Sequence, residues 1–229
     1  TAPVQCLDHC IGQGLLAVLA FALATLPAVV LSGTLARAGF TAAGYGGSIW
    51  SGRASSFAWR GAPLGDLAWN LEPTSLLRAR VAGAAKLVRS DGAVDARFDV
   101  SFSGRDVRLQ DVKFALQVES LGALPLGMPQ GWRGRASGEV QTAQITNGWP
   151  TELRGSLDLD GLVAPPPRSA PVGSFHAVFP HPQPQPSLSV AAAPENLTAQ
   201  VTDKEGPFAV DAQLTLSPAR NFALEGTVA

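Results

Sequence analysis

After Gly33 apolar and polar residues alternate with a period of two, the pattern of strands with one buried and one wet face. Val94, Ala96, Phe98, Val100 and Phe102 alternate with Asp95, Arg97, Asp99 and Ser101. Val112, Phe114, Leu116 and Val118 do the same with Lys113, Gln117 and Glu119. The rhythm recurs over 153–159, 208–216 and 222–228, and further strands are expected near 47–59, 64–71, 79–89, 133–145, 173–179, 187–192 and 196–202. Turn residues fall between them, at Ser90, Asp91 and Gly92, at Ser103 and Gly104, at Asn147 and Gly148, and at 204–207. One helical turn is predicted over 73–77, with Pro73 suited to a first helical position. The pattern predicts a mainly β fold, an antiparallel and strongly curved sheet with very little helix. Its apolar face must be covered by another sheet, by its own curvature or by something from outside.

Upstream the period disappears. Residues 15–31 read LLAVLAFALATLPAVVL, and no charged residue occurs from Ile11 to Ala36. A hydrocarbon core of about 30 Å takes about 20 apolar residues as a helix. The segment 11–33 is therefore read as a single transmembrane anchor, built on Leu15, Leu16, Val18, Leu19, Phe21, Leu23, Leu26, Val29, Val30 and Leu31. Membrane helices tolerate the internal Pro27 better than soluble ones. A cleaved signal peptide would call for a basic flank and a small-x-small cleavage site. Residues 1–14 hold neither Lys nor Arg, so charge does not orient the span. The expected order is a tail (1–10), the anchor (11–33) and a β domain (34–229), the last divisible into halves 45–120 and 132–229 about the connector 120–131.

Composition narrows the chemistry. Charged residues are only 15% of the 229 and the net charge is −1, so nothing concentrates Lys and Arg for nucleic acid. Cys6 and Cys10 both precede the apolar run, which rules out a disulfide framework in the β domain. With only Asp8 and His9 nearby, they lack a set of metal ligands. His9, His176 and His181 have no ligand spacing, and the latter two read as solvated loop residues flanking the proline-rich 180–186. Asp158 and Asp160 share the polar phase of a strand, where hydration and ordinary ionisation are expected. No phosphate-binding loop or nucleophile elbow is present. The residues predict no catalytic site, no cofactor, no metal and no small-molecule substrate, with lipid left open. The tryptophans stand out: Trp50, Trp59 and Trp69 lie close together, with Trp132 and Trp149 later. Trp59 and Trp69 are expected as a cross-strand pair.

The order of several motifs resembles a known family. After the apolar segment come Ser48, Ile49, Trp50, Ser51, Gly52 and Arg53, then Pro63, Leu64, Gly65, Asp66, Leu67 and Trp69. A turn with Leu71, Pro73, Leu76 and Leu77 follows, and later Gly148, Trp149, Pro150, Leu153, Arg154 and Gly155. Near the end stand Gly206, Pro207, Phe208, Val210 and Asp211. This resembles protein N of the bacterial type II secretion system over nearly all of 15–229. The first ten residues depart from it, since the family would place a basic flank there. The resemblance implies a single-pass inner-membrane protein with a periplasmic β domain. It implies an accessory, non-enzymatic role in exporting folded proteins across the outer membrane, with other secretion components of the envelope as partners. Trp50, Gly52, Trp59, Pro63, Leu64, Gly65, Trp69, Pro73 and Trp149 are the family-motif positions and candidate interface residues. The competing expectation is a membrane-anchored β-groove that shelters lipid or another apolar ligand.

Overall fold

The computed structural model describes residues 21–22, 25–122, 131–167, 169–179, 196–207, 209–219 and 221–228. The predicted alternation becomes one antiparallel sheet. Its strands are β1 (Phe40–Thr41), β2 (Gly44–Gly47), β3 (Ser51–Trp59), β4 (Ala62–Leu71), β5 (Arg80–Arg89), β6 (Gly92–Ser101) and β7 (Asp106–Gln117). There follow β8 (Arg133–Thr146), β9 (Trp149–Val163), β10 (Pro171–Phe179), β11 (Leu197–Glu205), β12 (Val210–Leu216) and β13 (Phe222–Val228). From β3 onward each strand pairs with the next in sequence, and β1 and β2 both pair with the free side of β3. The sheet is neither closed nor strongly curled, which corrects the expected strong curvature.

Register explains why the two faces stay distinct. One row crosses the strands as Leu67, Leu87, Val94, Phe114, Gly138, Leu157, Ala177, Val201 and Ala212. The adjacent row on the other face reads Lys86, Asp95, Lys113, Glu139, Ser156, Val178, Gln200 and Gln213. A one-residue slip would carry polar or charged side chains onto the apolar side, so the pattern itself pins the pairing. β7 keeps phase through a bulge at Asp111, which takes a left-handed φ of 49°. Val118, expected at the end of that strand, instead opens the short helix Val118–Leu121.

The N-terminal segment differs most from expectation. No helix among the described residues is long and apolar enough to cross a membrane. Leu15, Leu16, Val18, Leu19 and Leu23 lie outside the described residues, as do the tail with Cys6 and Cys10, most of the connector, the 180–186 loop with His181 and the strand expected at 187–192. The described end of the predicted span is not a continuous helix. Pro27 bridges Ser48, Ala28–Val30 form a 3₁₀ turn, and Leu31–Arg37 form a short α-helix. A proline lacks the N–H that would carry a helix through this point. Ala28, only 1% exposed, then packs with Ala54, Phe57 and Trp69, and Leu31, Leu35, Phe40 and Tyr45 surround them. This cap covers the apolar face at β2–β5.

Candidate functional site

Trp69 organises the capped end. It is buried in β4, and its indole N–H donates to the Ile49 carbonyl at 2.9 Å. Gly52 lies directly opposite in β3, where a Cβ would stand 2.5 Å from the indole ring. Only a glycine leaves room for the ring there. Ile49 in turn donates its N–H to the Leu26 carbonyl at 2.9 Å. One side chain thereby ties the sheet to the point where the chain enters it.

The other motif residues fall into place around this centre. Arg60 and Gly61, both at positive φ, make a two-residue hairpin turn between β3 and β4. Pro63, Leu64 and Gly65 are therefore strand residues of β4. Gly65 has a φ of 108°, and a Cβ on it would meet the Val88 carbonyl oxygen at 2.2 Å. Trp59 pairs with Ala62 and Trp69 with Gly52, so the expected Trp59–Trp69 pair does not form. The tight turn puts them at opposite ends of the hairpin. Trp59 instead stacks on Phe40 at 6.1 Å, beneath the Arg60 guanidinium. Phe40 also stacks on Phe57 at 5.2 Å. Pro73 opens the 3₁₀ turn Pro73–Arg78 that leads to β5. Trp50 is half-buried, with its carbonyl accepting from the Leu71 N–H at 2.6 Å. Trp149 begins β9, half-buried as a residue, and its indole nitrogen is buried without a hydrogen-bond partner.

Beyond the cap, the apolar face has no second layer among the described residues. The elements touching β6, β9 and β10 are other strands of the same sheet. Val94, Phe98, Phe114, Leu157 and Phe175 remain half-buried, while Leu116, Leu197, Ala136, Ala199 and Ala212 on the same face are buried between their strand neighbours. A run of Val, Leu and Phe over several strands, lacking a covering layer, is the kind of surface that marks an interaction site.

The opposite face is held by ion pairs across neighbouring strands. Lys86 meets Asp95 at 3.2 Å, Lys113 meets Glu139 at 3.5 Å, and Arg97 meets Asp111 at 3.4 Å. A denser cluster spans β9–β11. His176 Nδ1 lies 2.9 Å from Asp158 Oδ1, and Lys204 Nζ lies 3.1 Å from both Asp158 and Asp160. His176 is thus a paired strand residue and not a solvated loop residue. Period-two register would have revealed it, since His176 faces Asp158 across β9 and β10. The His176 ring and then the Lys204 ammonium hold the Asp158 carboxyl below its ordinary 3.8, which corrects the expectation of ordinary ionisation. The hydrogen bonds that Lys204 donates to Asp158 and then Asp160 hold its ammonium above the ordinary lysine value. Among the described residues no group of three or more His, Cys, Asp or Glu could hold a metal ion. The cluster's donors and acceptors face each other, so it clamps three strands together.

A pH prediction follows from the lowered Asp158. Its stabilising contribution is present above the unfolded value and is lost as pH falls through the lower folded value. Asp158 is partly exposed, so solvent screens the pair and Asp158→Asn should cost about 1 kcal/mol at neutral pH. Chemical denaturation should show that difference shrinking to nothing as the pH drops below the folded value.

Comparison with known proteins gives one family description: type II secretion system (T2SS), protein N, matching residues 38–229. Neither the curated proteins nor the solved structures include a match.

Proposed function

The chain belongs to the type II secretion system protein N family, and on that premise we propose that it is a non-catalytic docking subunit of the secretion machine. The uncharged segment upstream of Pro27 anchors it in the inner membrane, and the sheet stands in the periplasm. The observation that carries the proposal is the row from Val94 to Val201, apolar across six strands and without a covering layer among the described residues. Burying apolar surface stabilises a complex by about 25 cal/mol per Å² before the costs of association. A face of this kind supplies the driving force, while the ion-paired opposite face keeps the sheet hydrated and rigid. Trp69, Gly52 and Gly65 act by holding the capped end in shape. Trp50, Trp59, Pro63, Leu64 and Pro73 lie in or beside the capped β3–β4 end, and Trp149 opens β9.

Affinity isolation from gently solubilised membranes, at native expression, tests this role. Other secretion components should be recovered with the full chain and lost when residues 40–228 are deleted. Recovery of the chain alone would contradict it.

The uncovered apolar face also favours a second reading, in which the sheet shelters lipid. The lack of strong curl weighs against it, because a flat face leaves most of an acyl chain in water. Mass spectrometry of the purified protein separates the two: stoichiometric lipid supports shelter, and its absence supports docking.

A further inference from the structure

The turns at one end of the sheet carry apolar side chains that the fold leaves in solvent. In the 3₁₀ turn between β4 and β5, Leu77 is 89% exposed and Leu76 is 40% exposed. Phe102, just after β6, is 62% exposed. Its N–H donates to the Ala79 carbonyl at 3.0 Å, so the two turns are neighbours. Each is followed by an exposed arginine, Arg78 in one turn and Arg105 in the other. The turns at the opposite end, Arg60 with Gly61 and Ser90 with Asp91, present polar residues.

The chain enters the sheet at the apolar end. Leu71, which closes β4 just before the 3₁₀ turn, donates its N–H to Trp50, and the adjacent Ile49 donates to Leu26. The uncharged sequence 11–20 lies immediately upstream. Exposed leucine and phenylalanine beside the entry of an apolar segment place both on the same side of the molecule.

We infer that Leu76, Leu77 and Phe102 rest in the surface of a phospholipid bilayer, with Arg78 and Arg105 at the level of the headgroup phosphates. This inference rests on the proposed anchoring by the upstream apolar segment. Apolar side chains settle at the boundary between headgroups and acyl chains, and arginine stems reach along it while their guanidinium groups stay wet. Glu72 and Asp106 stand at the same end, so insertion of the apolar tips is the leading contribution and not a polybasic attraction. A weak contact suffices, because the anchor already holds the tips at high effective concentration beside the membrane. The result would fix the sheet on end, with its apolar face perpendicular to the membrane and open to a partner from the side.

Environment-sensitive labels on the full chain test this. Single cysteines replace Leu77, Phe102 or Ser90 in a Cys6→Ser, Cys10→Ser background, each labelled with a nitrobenzoxadiazole dye. Every variant is reconstituted into phosphatidylethanolamine–phosphatidylglycerol vesicles, with and without doxyl-labelled lipid. Labels at 77 and 102 should shift to shorter wavelength and lose emission to the doxyl lipid, while the label at 90 keeps its aqueous emission. If the chain resists alkaline extraction but labels at 77 and 102 behave as the one at 90, this inference falls and the anchor stands. If the chain is extracted, the anchor falls. Quenching at 77 and 102 of protein added to vesicles at low salt would then still support the membrane contact, and its absence would overturn it.

Discussion

Replacing Trp69 with Ala should lower the free energy of unfolding by about 3–5 kcal/mol, the range for truncating a large buried aromatic. Domains of this kind have about 5–15 kcal/mol in total, so the loss is a large share of the whole. Several effects act together. The indole is buried against Ala28, Ala54 and Phe57, and its removal opens a cavity where Gly52 offers no side chain to fill it. The Ile49 carbonyl also loses its donor. Ile49 is the residue whose N–H reaches Leu26, so the truncation loosens the tie between the sheet and its entry segment. Chemical denaturation should register the lost stability, and hydrogen exchange should show the Ile49 amide losing protection before the amides of β8 and β9. Trp59→Ala should cost less, because Trp59 is only half-buried at the hairpin end.

Replacing Val94 with Asp should do the opposite: little to the fold and much to association. Val94 sits between Leu87 and Phe114 in the apolar row, half-buried and with no covering layer among the described residues. A carboxylate placed there keeps much of its water, so folding should lose about 1 kcal/mol, within the ordinary range for a point mutation. Under a second protein layer the same charge would lose its hydration and cost several kcal/mol. A bound partner imposes that same desolvation. Recovery of secretion components with the Val94→Asp chain should therefore fall by tenfold or more, a loss of about 1.4 kcal/mol or greater. Denaturation and affinity isolation of the same variant read the two effects separately.

The strands were legible because alternation and turn chemistry agreed. β5, β6 and β8 lie close to where the period-two pattern put them, and the 3₁₀ turn starts at Pro73 as its backbone preference requires. What stayed hidden has physical causes. Residues 27–33 belong to the uncharged run read as a membrane segment, and hydropathy alone does not separate a helix in lipid from a cap on a sheet. Only the neighbours Ala54, Phe57 and Trp69 make the difference, and they are distant in sequence. The Trp59–Trp69 pairing failed because the turn is Arg60 and Gly61, which shifts every pair in the hairpin. His176 reads as a solvated loop residue in the sequence because its partners Asp158 and Lys204 come from two other strands. Strong curvature was expected from the need to cover an apolar face, and that need remains: cover for β6–β10 must come from beyond the described elements.

Photo-crosslinking from the two faces of the sheet tests the docking role most directly. A benzophenone amino acid placed at Phe98 or Phe114 points to the apolar face, and one at Gln110 or Lys113 to the polar face. In cells carrying the whole secretion system, adducts with other secretion components should form from 98 and 114 and not from 110 and 113. Adducts from the polar positions alone, or equally from both faces, would contradict docking through the apolar side.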